Sequence, residues 1–396
     1  MLIITTTKSF RWHSNTLFRF FNLRQWNTAN CVYAQSVVCH FKKDTMRTLR
    51  LILIISFGLT LSCVNNQNNE KTVRDTESKA DTLKVVDNPY YNSAYCEIVS
   101  MLDGKIPMDY KRAIFLLEWA YMQGNLDYSA YCSEITEISG KLKQFIKEKG
   151  VEQYKTSGNF ALFEFFTKPN SMNGNKPFTY DFDDFNGQKD YRKTFVTKLL
   201  ETHKGQCRSL PIFYKILAEE IRTEAFLAIA PNHLYIKHLG EDNKWVNVEL
   251  TNGHFASDAY IISSMGISAE AIRNRIYMDA LDLRQSIAYC LTELSMGYQK
   301  LYGYDNFVLL CCDKTLEYFP YSMPTLLHKY NSLRSTALDY ISKNGREHCD
   351  FLDNNYKDFK ETQQKIESLG FREMPAEKYE EWVRSVENEK KQQQYN

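Results

Sequence analysis

The clearest periodic stretch begins after Asp109, a residue type suited to capping a helix. Ala113, Leu116, Leu117, Ala120 and Tyr121 follow at three- and four-residue spacing until Gly124, which predicts an amphipathic helix within a helical region over 90–150. Between 157 and 192 the text changes. Lys-Pro-Asn, Asn-Gly-Asn and Phe-Asn-Gly punctuate apolar residues there, and this predicts loop. A short helix is expected over 191–202. Gly205 then breaks the pattern, and Leu210, Phe213, Leu217 and Ile221 form one apolar stripe of a helix starting at about Cys207. Pro211 is tolerated only near a helix start, which places that start independently. Residues 224–230 read as a buried strand, 233–238 and 244–250 as further strands, with Pro231-Asn232 and Leu-Gly-Glu-Asp-Asn as the turns between them. After about 275 the pattern is helical again, and the Gln- and Lys-rich stretch 388–396 reads as frayed.

Composition supports a packed, helix-rich body. The chain has 396 residues, 43% of them apolar, with 26 Tyr and 24 Phe against 16 Gly and 9 Pro, enough for a sizeable core and roughly two to three domains. Of the 49 Lys and Arg, eight lie in residues 1–63 with one of the 48 acids, so the remainder carries a net charge of −6. A mildly acidic body argues against a nucleic-acid partner, whose binding would normally need a basic face.

The basic surplus marks an export signal. From Met46, two arginines precede eleven mostly apolar residues (51–61), then Ser62 and Cys63. That apolar stretch is too short to span a bilayer, which takes about 20 residues. Residues 1–45 fit no targeting pattern and read as upstream sequence, with translation starting at Met46. Residues 63–88 are polar, lack aromatics and read as a flexible tether. Beyond Cys63 there are seven cysteines and no Cys-x-x-Cys pair, so a structural zinc site is not expected and one thiol must stay free. Cys290, Cys311 and Cys312 lie in apolar helical text and read as core residues. Asp181, Asp183 and Asp184 lack the Gly and distal Glu of a calcium loop and read as a solvated turn. No metal and no cofactor is called for.

The candidate chemistry lies in 205–252. A cysteine at a helix N-terminus meets unpaired N–H groups and the positive end of the dipole, which favour a thiolate and could bind an oxyanion. Alternation puts His233, Tyr235 and Lys237 on one strand face and Trp245, Asn247 and Glu249 on one face of the next. A hairpin loop at 239–243 sets His238 opposite Lys244 and therefore His233 opposite Glu249, where a carboxylate can orient the imidazole. A one-residue slip would destroy this. Gln206 is an auxiliary oxyanion candidate, Asn252 a reserve orienter, and His203 and His254 candidates for the rim. His238 faces the other way and reads as structural. Singly, each residue has a bland reading: a buried small thiol, a satisfied strand histidine, a solvated acid.

Gly-Gln-Cys opening a helix, a histidine opening a strand, and Trp-x-x-x-acid on the next strand resemble the transglutaminase-like superfamily. That resemblance implies a papain-like core, an α+β fold over 89–275, with Cys207 as nucleophile, His233 as base and Glu249 where the family has aspartate. The lead-in NKPFTYDFDDFNGQKDYRKTFVTKLLETHKGQC is similar to a bacterial branch that joins this domain to tetratricopeptide repeats. Residues 294–320, with Gly-Tyr-Asp at the turn and Pro320 at the close, resemble one such repeat within an all-α region over 276–396; a plain helical bundle is the alternative. Leu-Thr-Leu-Ser-Cys resembles a bacterial lipoprotein box, with Thr60 where Leu is usual, which implies lipidation at Cys63; an ordinary secretory signal is the alternative. Together these imply a lipoprotein of the bacterial cell envelope, on the periplasmic side or the cell surface. It would act on a peptide or protein by amide hydrolysis or acyl transfer, or serve without catalysis as a binding scaffold.

Overall fold

The structure, a computed structural model, describes residues 87–373 except 185, 186, 346 and 348, with isolated positions between 377 and 388. The expected extension (1–45), signal (46–62), lipidation site Cys63, the tether as far as residue 86, and residues 389–396 lie outside the described residues. Among the described residues no helix is long and apolar enough to cross a membrane.

Helix starts follow local capping chemistry. Asn88 caps α1 (Pro89–Leu102), and Asp109 caps α2 (Tyr110–Tyr121) by accepting the Arg112 N–H, as its position predicts. α3 (Tyr128–Lys149) ends at Gly150 in the left-handed region. The expected loop over 157–192 is wrong in its first third, which forms α4 (Ser157–Thr167). Gly, Phe and Thr are poor helix formers, but Ala161, Leu162, Phe165 and Phe166 are buried there, and packing overrides propensity.

The expected helix over 191–202 is divided. A 3₁₀ turn (Tyr191–Thr194) and extended Phe195 precede α5 (Val196–Thr202). The buried carboxylate of Glu118 in α2 caps α5 from a distance, accepting the N–H groups of Val196 at 2.6 Å and Thr197 at 3.0 Å. A two-residue strand, β1 (Thr179–Tyr180), runs parallel to β2 (Lys204–Gly205) and draws the loop against the start of α6 (Ser209–Glu220).

β3 (Phe226–Ala230), β4 (His233–Leu239), β5 (Trp245–Glu249) and β6 (His254–Ala256) form a four-stranded antiparallel sheet in chain order. α6 packs on β3 and β4 and is buried along its whole length from Ser209 to Ala218, as an interior helix must be when apolar residues surround it. Two short helices follow, α7 (Asp258–Met265) and α8 (Ala269–Arg273).

Four longer helices complete the described chain: α9 (Leu283–Tyr302), α10 (Asn306–Tyr318), α11 (Met323–Asn344) and α12 (Asp350–Ser368), each packed on the next. The Gly-Tyr-Asp turn behaves as its sequence implies. Gly303 ends α9, and Asp305 caps α10 while accepting the Tyr298 hydroxyl at 2.6 Å. α9 also packs on α1 and α2, so the helical array joins both ends of the described chain and bridges the division expected at 275. Cys290, Cys311 and Cys312 are buried, and the seven cysteines described all carry free thiols. The fold is mixed α and β, mostly helical, with one small antiparallel sheet.

Candidate active site

The approach to Cys207 is built around Gly205. A Cβ on Gly205 would lie 2.7–2.9 Å from side-chain atoms of Leu199, Leu210 and Ser209, so only glycine lets the chain pass between α5 and α6. Cys207 and Arg208 form a turn, and the regular helix begins at Ser209, two residues later than expected. The first helical hydrogen bond runs from the Leu210 N–H to the Gln206 carbonyl at 3.1 Å. Pro211 has no N–H to offer the Cys207 carbonyl, so the proline lies where the ladder can spare a donor. Cys207 thus sits at the tip of a buried helix, partly accessible.

The β4–β5 register differs from the expected one. Leu239 pairs with Trp245 and Ile236 with Val248, a shift of two residues, because Leu239 stays in the strand and the loop is 240–244. The loop closes with the Gly240 N–H on the Lys244 carbonyl at 2.8 Å. Continued one step, this register sets Tyr235 opposite Glu249 and makes His233 its diagonal neighbour. An even shift preserves which face each side chain occupies. His233 and Glu249 therefore still share a face, and Nε2 of His233 lies 2.5 Å from Oε2 of Glu249. Diagonal neighbours are about 7–8 Å apart at the backbone, so the extra methylene of glutamate supplies reach that aspartate lacks.

Both oxygens of Glu249 are held. Oε1 accepts the Thr251 hydroxyl at 2.7 Å and the Thr251 N–H at 3.1 Å. With Nε2 directed at Glu249, Nδ1 is the ring nitrogen left for Cys207, whose side chain is within hydrogen-bonding reach of the ring. Burial works against charge on His233. The carboxylate of Glu249 and hydrogen bonds to Cys207 and Glu249 outweigh it and push the ring up to about 10. Burial likewise works against a charge on Glu249, but the His233 imidazolium and the Thr251 donors hold its carboxyl below the usual range. At neutral pH the ring is therefore an imidazolium braced by a carboxylate.

Tyr180 is a neighbour the sequence reading missed. The β1–β2 pairing places it opposite Gly205, and its buried hydroxyl reaches both the Cys207 side chain and the Cys207 backbone N–H. Burial and the charges of Cys207 and Glu249 hold that hydroxyl well above the ordinary tyrosine value, so it remains a proton donor.

The other candidates fall as follows. Gln206 is buried and its side-chain amide donates to the Asp184 carbonyl, so it braces the preceding loop. Asn252 is exposed on the β5–β6 turn, paired with His254 and not with His233. His254 lies opposite Glu249 on the edge strand β6. The Nδ1–H of His203 donates to the Lys176 carbonyl at 3.0 Å, and the ring stacks on Phe178. His238 is buried, bonded to the Leu239 carbonyl and held below its ordinary value by burial. The solvated-turn reading of the aspartates is corrected for two of them: Asp181 and Asp184 are buried, and Asp184 accepts the N–H groups of Gln188, Lys189 and Asp190. Their carboxylates replace water as partners for a loop backbone that folds inward. Among the described residues no group of three or more His, Cys, Asp or Glu could hold a metal ion.

Compared with known proteins, the chain matches no family model, no curated protein and no solved structure.

Proposed function

We propose that this chain is a cysteine-dependent acyl-transfer enzyme of the bacterial cell envelope, anchored through a lipid at Cys63, with Cys207, His233 and Glu249 as its triad on a transglutaminase-like, papain-type core. The observation that carries the reading is the continuous chain Glu249–His233–Cys207 at the tip of a buried helix. An imidazolium beside a sulfur favours the thiolate, the reactive form. The thiolate attacks the carbonyl carbon of an amide in a peptide or protein, forming a C–S bond and an oxyanion. The Tyr180 hydroxyl, beside Cys207 and kept protonated by its surroundings, is a donor available to that oxyanion. As the C–N bond breaks, Nδ1 of His233 gives its proton to the departing amine. His233 then takes a proton from water, whose oxygen attacks the thioester and releases the acid, restoring thiolate and imidazolium. An amine in place of water gives transamidation.

The test is alkylation of the full chain by iodoacetamide across pH 5–9, with Cys207 resolved from the other thiols by peptide mass spectrometry. Cys207 is expected to react at least about tenfold faster than a free model thiol at pH 6, where only a small fraction of the free thiol is ionised. His233→Ala should remove that advantage. If Cys207 is no faster than the model thiol and His233→Ala changes nothing, the site has no activated nucleophile and the chain is a binding scaffold.

A further inference from the structure

Arg208, directly after the proposed nucleophile, points away from it. Its guanidinium pairs with the carboxylate of Glu293 in α9, donates to the Thr194 hydroxyl and lies 5.5 Å above the Tyr191 ring. The two charged side chains are only 13% and 4% accessible, so neither can be offered to a substrate. Arg208 is also the cap residue of α6, and that helix has no side-chain cap of its own. The turn that presents Cys207 is therefore fixed from outside its own helix, by a contact to the middle of α9, which also packs on α1 and α2. The same helical array supplies Glu118, which caps α5 immediately before the Cys207 loop.

We infer that the buried Arg208–Glu293 ion pair is a positioning device, which ties the Cys207 turn to the helical array and sets the sulfur in line with His233. This rests on the triad reading above. The guanidinium does not act on the sulfur as a free positive charge, because Glu293 neutralises it. It acts through the backbone, since moving Arg208 moves the adjacent Cys207. A misplacement of about 1 Å between reacting groups is enough to cost on the order of a hundredfold in rate. Arg208 and Glu293 are thus positioning residues and do not touch substrate.

The experiment uses the full chain and follows iodoacetamide alkylation of Cys207 across pH 5–9. Glu293→Gln should slow alkylation at pH 6 about tenfold or more. Because one orphaned buried charge can unfold the protein, the paired substitution Arg208→Met with Glu293→Leu is measured alongside; apolar replacement of a buried pair is often tolerated by the fold. The pair should slow Cys207 to the same degree while circular dichroism and melting stay near the wild type. Arg208→Lys, which keeps the charge but not the fork, should recover part of the rate. In a His233→Ala background the paired substitution should add nothing, since the sulfur then has no partner to be aligned with. A folded pair variant that alkylates at the wild-type rate overturns the proposal, and so does a slowdown of equal size in the His233→Ala background. If His233→Ala alone leaves the rate unchanged, the triad reading itself fails and takes this inference with it.

Discussion

Glu249→Asp tests the diagonal geometry directly. The charge is kept and one methylene is lost, so the carboxylate withdraws by roughly 1.3–1.5 Å along the side chain, from a contact that is 2.5 Å in the wild type. The remaining separation is too long for a hydrogen bond. A hydrogen bond to a charged group contributes about 1.5–3 kcal/mol, and one pKa unit corresponds to about 1.4 kcal/mol. His233, pushed up to about 10 in the wild type, should therefore titrate about one to two units lower in Glu249→Asp. Glu249→Gln brackets the effect from the other side. It keeps length and an acceptor oxygen but no charge, so the ring should titrate well below the wild type and below Glu249→Asp, with Cys207 left to oppose burial. The assay is a ring-resonance titration of His233 by NMR in the full chain, with the Cys207 alkylation profile recorded on the same samples. A Glu249→Asp protein whose His233 titrates like the wild type would show that reach is not what glutamate contributes here. A wild-type ring titrating below 6.5 would show that the carboxylate does not hold it up against burial.

Thr251→Val removes one of two donors to Oε1 of Glu249 and leaves the Thr251 N–H in place; a loss near the lower end of 1.5–3 kcal/mol, about tenfold in Cys207 alkylation at pH 6, is expected, and an unchanged rate would remove Thr251 from the site. The pH dependence of stability has a definite sign. The folded value of His233 is raised from 6.5 to about 10, so its contribution is fully present below pH 6.5 and is lost as the pH climbs toward 10. Melting temperature should fall across that window in the wild type and fall less in His233→Asn; parallel curves would refute the linkage.

Much of the site could be read along the chain, because its logic is local. Gly205, Cys207 and Pro211 define a helix tip through the absence of a Cβ, a side-chain thiol and the absence of an N–H. The alternation of β4 and β5 places His233 and Glu249 on one face whatever the loop does, provided the slip is even. That is why an expected register two residues off still brought the right pair together, as diagonal rather than direct neighbours. Some signals were present and went unread. Ser257 and Ser268 each cap a short helix in the expected manner, and Thr251 stands two residues after the carboxylate it holds.

What the linear text determined by itself is therefore the kind of most of the strongly periodic elements and the face that His233 and Glu249 occupy, since periodicity and capping are properties of neighbouring residues. Only the tertiary structure decided what surrounds them. α4 forms from weak helix formers because its apolar side is buried. Glu118 caps a helix 78 residues away, Tyr180 reaches Cys207 through a parallel bridge, and Arg208 finds Glu293 in another helix. Each of these is a polar or charged group that burial obliges to find a partner, and which partner it finds depends on chain closure in space, of which sequence spacing carries no record.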